Sequence, residues 1–535
     1  MKYLLDSVAM KKIDEYSIKT TGIPSVVLME RAALSVSSFV EKLAYNKKDS
    51  GKKDISICVV CTKGNNGADG LAAIRQLYLH GYKTLVYEAG RKEPGTDEYE
   101  LQKNIIKNLE IPFECAVQDN ILPLDEYDFI IDAMFGIGLS RDVTGVYAQI
   151  IDEINRVSAV KVAVDIPSGL SAGIVQVSNK KVKADYTVTF GFDKTGMVLY
   201  PGRKYAGKVI VSDIGFAVSQ DNVQKILENN PARMIEKKDI LTIPEREADG
   251  NKGTSGKVLI AAGSRSMGGA AFMSAQSAYR SGCGLVRVFT HENNKNALLT
   301  LVPESICDTY NDKNSNCDEL TKWCTWADCI IAGPGLSVSG QSEEIVKCIL
   351  QSGSDATLIL DADALNIISE NEEYYEYISR YKGKVIMTPH VGEMSRLTGK
   401  SIGQIKGNPV ETALCYSKEH GVICVLKDAA TVVCDHDNIY INTSGNCGMA
   451  TGGSGDVLTG VIAGMMCAGF DDECFAAALA VYIHGCAGDM CRKNQGTFSM
   501  KAWDIAESLS TVFTQNNTDY NCLLYTSPSP RDYAA

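Results

Sequence analysis

Short runs of β-branched and other apolar residues recur along this chain, each followed by a stretch of helical spacing. ISICVVC (55–61), TLVYEA (84–89), DFIIDAM (128–134), VKVAVDI (160–166) and DYTVTF (185–190) form one series, with helical segments such as Asp69 to His80 between them. A second series comprises VLIAAG (258–263), LVRVFT (285–290), CIIAGPG (329–335), TLILDAD (357–363), VIMTPH (385–390) and VICVLK (422–427). It ends in TVVCDHDNIYIN, which reads as a small antiparallel ribbon. Strands alternating with helices build βαβ units around a mostly parallel sheet, so two α/β domains are expected, the first a Rossmann-like three-layer αβα unit. No short-period repeat is present, which excludes a solenoid. Between the series, the run from Ser219 to Asn251 loses the alternation and is charge-rich (IEKKDILTIPEREADGNK). This places a first domain at 1–218, a linker at 219–229 and a second domain at 230–515. From Asn516 onward neither periodicity survives, and Pro528 and Pro530 disfavour both, so 516–535 reads as a disordered or non-native tail.

Bulk composition narrows the partners. The 53 Lys and Arg against 65 Asp and Glu give a net charge of −12 without a long basic block, which argues against a nucleic-acid footprint. The 18 cysteines are scattered without a paired framework. Cys58 and Cys61 lie three apart in a strand pattern and so face opposite sides, where they cannot share a zinc ion; buried reduced thiols of a cytoplasmic protein are expected. MKYLLDSVAMKK carries an acid within its short apolar run and no small-residue cleavage site, so a secretory leader is not expected. The stretch Val457 to Phe470 is too short and too glycine-rich to span a bilayer. No membrane partner is expected.

Three strands of the first series run directly into polar clusters. After ISICVVC comes Lys63-Gly64-Asn65-Asn66-Gly67-Ala68-Asp69-Gly70; after DFII come Asp132-Ala133-Met134-Phe135-Gly136-Ile137-Gly138; after VKVAV come Asp165-Ile166-Pro167-Ser168-Gly169. In a parallel sheet these ends share one edge, where open α/β folds bind ligands. Glycines let backbone amides approach phosphate oxygens, and a helix N-terminus after Asp69 favours negative charge.

In the second series the string Gly445-Asn446-Cys447-Gly448-Met449-Ala450-Thr451-Gly452-Gly453-Ser454-Gly455-Asp456 opens the apolar segment VLTGVIAGMMCAG. A glycine-rich turn at a helix start aims several N–H groups at one point, which suits the charge on a transferred phosphoryl group. Asp456 in the first turn is placed to take a proton from an attacking hydroxyl. No Gly-Lys-Ser/Thr follows, so the string is not a Walker loop. His390 after VIMTP is either a turn residue or a ligand contact, and His484 in AVYIHGCAGDM reads as a core or helix-face histidine.

Both blocks resemble known families. GNNGADG, DAMFGIG, DIPSG and FGFDKTGMVLYPGRKYAG look like the YjeF N-terminal domain, the NAD(P)H-hydrate epimerase. That resemblance implies substrate contacts at Asn65, Asn66, Gly67, Ala68 and Asp69, along Gly136, Ile137, Gly138, Leu139, Ser140, Arg141 and Asp142, and at Asp165 against the hydrated ring. It implies K+ held by Asn66, Asp132 and Ser168. Ala68 stands where the family has glycine, and a positive φ there would cost about 1 kcal/mol. The second block resembles the ribokinase-like ADP-dependent (S)-NAD(P)H-hydrate dehydratase through GKVLIAAGSRSMGGAAFMSAQSAYRSGCGLVRVFT, AGPGL, LDADALN, TPHVGEMSRL, VLKDAAT and GNCGMATGGSGDVLTG. The resemblance implies hydrate contacts at Gly335, His390, Val391, Gly392, Glu393, Met394, Ser395 and Arg396, with Asp456 as base. It implies ADP, accompanied by Mg2+, at Lys427, Asp428, Ala429, Ala430 and Thr431 and from Asn446 through Gly455. Asp428 adds a carboxylate near the diphosphate, and Val391 replaces a family proline. Together the blocks imply a fused repair enzyme for NADHX and NADPHX, expected to be a cytoplasmic homo-oligomer. The alternative is a ribokinase-like small-molecule kinase with a non-catalytic nucleotide-binding N-terminal domain.

Overall fold

The computed structural model describes residues 1–49, 54–90, 93–116, 123–173, 178–219, 222–228 and 230–525. The chain divides into one compact unit from Lys2 to Ala232 and a second from Arg233 onward.

The first unit is built on a seven-stranded sheet, in the order Phe113–Cys115, Lys83–Glu88, Ser56–Cys61, Phe129–Ala133, Val160–Val164, Tyr186–Phe190 and Lys208–Ser212. Every pairing is parallel. The inner strands carry apolar residues on both faces because helices cover both. Ile57, Val59 and Cys61 pack with Leu71 and Ile74 of helix Asn65–Leu79 and with Val36 and Val40 of helix Ser25–Asp49. Cys58 and Val60 face the other way, onto Ile150, Ile151 and Ile154 of helix Val146–Arg156. Cys58 and Cys61 therefore lie on opposite faces, as a period of two requires, and burial raises both thiol pKa values, that of Cys61 to about 12. The two outermost strands escape the sequence reading because they are short and only partly buried.

The chain starts near the middle of this sheet, moves first to one edge and then returns to fill the other. Neighbouring strands Ser56–Cys61 and Phe129–Ala133 thus send their connections in opposite directions. Such a switch point opens a crevice at the strands' C-terminal ends. The segment expected to be a linker behaves differently: Val223–Leu227 is a helical turn whose Val223 and Leu227 pack with Leu5, Ala9, Met10 and Ile13. Its apolar i, i+4 spacing ties it to the first unit, and the division falls after Ala232 instead.

The second unit repeats the plan. Its sheet runs Ile306–Tyr310, Leu285–His291, Lys257–Ala261, Cys329–Ala332, Thr357–Leu360, Val385–Met387 and Ile423–Leu426, all parallel. The expected antiparallel ribbon, Val432–Cys434 with Ile439–Ile441, continues it. The switch point lies between Lys257–Ala261 and Cys329–Ala332. Helix Ser454–Met466 crosses this core against helix Gly268–Arg280, so closely that a Cβ at Gly460 would overlap Ser277 and one at Gly464 would overlap Ser281. Helix Glu473–Gln495 is long and apolar enough to cross a membrane, but 72% of its apolar window is buried in the unit; it is a core helix here. The last helix, Ala502–Tyr525, carries on through the first part of the segment read as a tail. Residues 526–535 lie outside the described residues.

Candidate active sites

In the first unit, helix Asn65–Leu79 begins at Asn65, four residues earlier than the sequence spacing suggests. Asn65 to Asp69 are its opening turns and not a free loop. The early start follows from Gly67 and Gly70: a Cβ at the first would overlap the Thr62 carbonyl and one at the second would overlap Ala133, so only glycine lets the helix lie this close to the strands. Ala68 sits inside the helix, fully buried, with its N–H donating to Gly64 O at 3.0 Å. The left-handed strain considered for it does not arise. No side chain caps this helix, so its leading N–H groups stay open to an anion.

Asp132, at the end of its strand, is wholly buried and accepts from Ser168 N at 2.7 Å and Ser168 Oγ at 2.5 Å. Burial raises its pKa to about 6 against the lowering effect of these bonds. Phe135 N donates to Ser168 Oγ at 2.9 Å, and the next residue, Gly136, has its Cβ direction 3.2 Å from Asn66 Oδ1. Asn66, Asp132 and Ser168 are thus gathered around the start of the Gly136–Asp142 loop. Asn66 Nδ2 is buried without a hydrogen-bond partner. The orphaned NH2 cannot ligate a cation; the hard donors a monovalent cation requires are the oxygens of this cluster, Asn66 Oδ1, the Asp132 carboxylate and Ser168 Oγ.

Asp165 takes a positive φ of 61° at its strand end. Its Oδ1 accepts from Thr189 Oγ1 at 2.9 Å, Phe190 N at 3.2 Å and Lys194 Nζ at 2.6 Å. Lys194 is completely buried, and its remaining bonds go to Thr189 Oγ1 and Phe190 O. Asp69 stands near enough to be affected: burial, then the charges of Asp165, Asp14 and Glu98, push its pKa well above the usual carboxylate range. A cavity of about 610 Å³ opens at the switch point, with Thr62, Lys63, Phe135, Leu139, Arg141 and Tyr147 in its wall; Asp69, Asp165 and Lys194 do not line it.

In the second unit the C-terminal edge of the sheet lines up a buried charge relay. Lys427 N donates to Pro389 O at 2.8 Å, which brings the ends of adjacent strands together. Lys427 Nζ meets Asp361 Oδ1 at 2.6 Å, and Thr388 Oγ1 donates to the same oxygen at 2.6 Å. Burial opposes the lysine charge, but Asp361, Glu393 and Asp456 outweigh it and hold its pKa above the ordinary value. Asp456 occupies the first turn of helix Ser454–Met466 behind Gly453, which has φ of 92° and supplies no side-chain cap. The N–H groups of Gly455 and Asp456 are therefore open. The Asp456 carbonyl is pinned by Ser274 Oγ at 3.0 Å and Thr459 Oγ1 at 2.7 Å. Burial, then Asp361, raise the Asp456 carboxyl to about 6, with Lys427 opposing.

Gly335 reaches this edge at the switch point, where Ser264 N donates to its carbonyl at 2.5 Å. His390 caps helix Val391–Thr398: its Nδ1 accepts from Gly392 N at 2.9 Å and Glu393 N at 3.2 Å, and Glu393 Oε2 accepts from His390 N at 2.7 Å. This reciprocal box closes the turn that leads into Val391. Burial lifts Glu393 to about 7. Met394 is buried, whereas Arg396 is exposed and donates from Nε to Asn366 at 3.0 Å. Asp428 and Ala429 are exposed and Ala430 and Thr431 buried, so the extra carboxylate stands in solvent.

Residues 258–511 match the family model described as NAD(P)H-hydrate dehydratase, and residues 25–196 match YjeF-related protein N-terminus. The bifunctional NAD(P)H-hydrate repair enzyme Nnr of Thermofilum pendens is 33% identical over 96% of this chain and 97% of its own length. The chain belongs to the bifunctional NAD(P)H-hydrate repair enzyme family. The Moorella thermoacetica member is 33% identical over 95% of this chain and 96% of its own. A solved ADP/ATP-dependent NAD(P)H-hydrate dehydratase from Bacillus subtilis is 30% identical, covering 53% of this chain and 99% of that one with a TM-score of 0.47.

Three residues that sequence reasoning passed over bond to the expected site residues Asp165, Lys427 and Asn446. Lys194 had a visible signal, a lysine within the otherwise apolar FGFDKTGMVL. Asp361 sits in LDADALN and Asp489 in HGCAGDM, but only tertiary pairing reveals what each holds.

Proposed function

We propose that the chain repairs hydrated nicotinamide dinucleotides, interconverting the R and S hydrates in the first unit and dehydrating the S form at the expense of ADP in the second. The observation that carries this reading is Asp456: a carboxyl beside open helix amides, with the Lys427–Asp361 pair close to Gly455. Those amides stabilise negative charge on a phosphoryl group in transit, and the lysine adds a fixed positive charge. Asp456 takes the proton of the substrate's C6 hydroxyl as its oxygen attacks the β-phosphorus of ADP, and the P–O bond to AMP breaks. Phosphate then leaves C6 as the ring nitrogen supplies its lone pair, and loss of the neighbouring proton restores the double bond. The products are NAD(P)H, AMP and phosphate.

The described residues contain no cluster of three or more His, Cys, Asp or Glu suited to a metal. Mg2+ bound with the diphosphate would neutralise part of its charge beside Lys427 and the open amides of Gly455 and Asp456. In the first unit, Asn66, Asp132 and Ser168 would hold K+, which supplies positive charge beside the substrate. Asp165, with Oδ1 occupied by three donors, keeps Oδ2 for a substrate proton, and Asp69 supplies the acid needed to open and reclose the hydrated ring.

The test follows recovery of reduced-nicotinamide absorbance from purified S-hydrate with ADP and Mg2+. Wild type restores it with equimolar AMP and phosphate, and Asp456→Asn falls by at least about a hundredfold. Undiminished turnover in the variant removes Asp456 as base, and accumulation of a stable phosphorylated alcohol favours a kinase. R-hydrate conversion in potassium buffer, lost in Asp165→Asn, tests the first unit.

A further inference from the structure

The run His484 to Asp489 of helix Glu473–Gln495 lies directly behind the glycine-rich string, yet neither reaction described above uses it. Gly445 N donates to Asp489 Oδ2 at 3.0 Å. Asn446 Nδ2 donates to Asp489 Oδ1 at 3.0 Å and to Gly488 O at 2.9 Å. Asn446 Oδ1 in turn accepts from Gly448 N at 3.0 Å. A continuous chain of bonds thus runs from the Asp489 carboxylate through Asn446 into the loop. The helix can approach this near only because two of its positions lack a Cβ: one at Gly485 would overlap Ser444 Oγ, and one at Gly488 would overlap Met449 Sδ. One helical turn earlier, His484 is 7% exposed and rests against the Ser454 main chain, with Nε2 finding no partner. Burial, opposed by the Ser454 contact, brings its pKa down to about 4, so it is neutral at physiological pH.

A carboxylate beside a diphosphate site works against anion binding unless it does something else. Here it accepts two donors belonging to the loop itself. We propose that this helix face is the template that shapes the nucleotide cradle, with Asp489 and His484 as positioning residues that aim its amides without touching the ligand. The inference rests on the reading of the 446–455 string as the ADP site.

The sign of one substitution decides it. In Asp489→Asn the charge disappears, and in either orientation the new amide NH2 faces a donor that the carboxylate had received, Gly445 N–H or the Asn446 NH2. A positioning role makes ADP binding to the full-length chain, measured by calorimetry with Mg2+, at least about tenfold weaker, with KM for ADP rising more than kcat falls and KM for the hydrate unchanged. A merely electrostatic neighbour would give tighter ADP binding that fades with added salt, and a merely structural one a lower Tm at unchanged Kd; either result overturns the template. His484 supplies the second arm should Asp489→Asn fail to fold. His484→Gln, neutral and still able to hydrogen-bond, keeps ADP affinity within about twofold, while the apolar His484→Leu loses at least about fivefold. Equal affinities in those two variants overturn the role of His484, and wild-type affinity in Asp489→Asn and His484→Leu overturns the template alone. Absence of ADP binding by the wild-type chain overturns the nucleotide reading itself.

Discussion

Replacing Asp456 by asparagine should stabilise the second unit while disabling it. Burial and Asp361 raise the carboxyl to about 6 from an ordinary value of 3.8, an excess of roughly two pKa units after Lys427 has acted in the opposite direction. At 1.36 kcal/mol per unit, ionising Asp456 in the folded protein costs about 3 kcal/mol more than in the unfolded chain. The sign follows from proton binding. Between pH 3.8 and about 6 the folded state holds the proton more tightly, so wild-type stability declines across that window and the deficit is constant above it. Asparagine has the same shape and does not titrate. The variant should therefore melt higher by several degrees at pH 8, with the advantage shrinking through pH 6 and absent near pH 3.5. Differential scanning calorimetry of the full chain measures this, the relevant transition in wild type being the one that ADP shifts upward. The gain accompanies the loss of activity expected of a residue retained for chemistry at the expense of stability. An equal Tm difference at every pH, or a destabilised variant at pH 8, refutes the argument that Asp456 is a carboxyl kept under desolvation.

Lys194→Met strands Asp165 without its buried cation and should cost about 3–5 kcal/mol in urea titrations together with epimerisation; the double variant with Asp165→Asn should recover most of the stability and none of the activity. Val391→Pro fits the first position of its helix, where proline needs no N–H, and should raise stability by about 0.4–1 kcal/mol with the dehydration rate unchanged within twofold. Gly464→Ala drives a methyl into Ser281 and should destabilise the second unit by about 1–3 kcal/mol, read from its unfolding midpoint. Because Asp456 must be ionised to act as base, kcat/KM for dehydration should fall about tenfold per pH unit below about 6.

The fold's periodic parts were legible because their physics is local. An inner parallel strand buried on both faces must be apolar throughout, so VVC, FIID and IIAG announce themselves, and the helical spacing between them fixes a parallel sheet. The edges were not: Ile306–Tyr310 is mostly half-exposed, and Val223–Leu227 becomes part of a core only because the helix Ser7–Glu15 lies against it. Site legibility divides the same way. The strings around Asn66, Asp132 and Ser168 stood out as polar residues where strands end, and that around Asp456 as a glycine-rich turn opening a helix. The start of the helix at Asn65 did not, because it depends on how closely Gly67 and Gly70 approach Thr62 and Ala133.

By itself the order of residues determined two parallel sheets of one handed plan, the polar clusters at their C-terminal edges, and the glycine-rich string. Chain direction and hydrophobic period are properties of neighbours along the backbone, and they suffice for that much. The partners of the charges came from tertiary structure alone: Lys194 with Asp165, Lys427 with Asp361 across 66 positions, and Asp489 with Gly445 across 44. A carboxylate's basicity depends on which distant groups are packed within a few ångströms of it and on the water they exclude, and no spacing along the sequence carries that information.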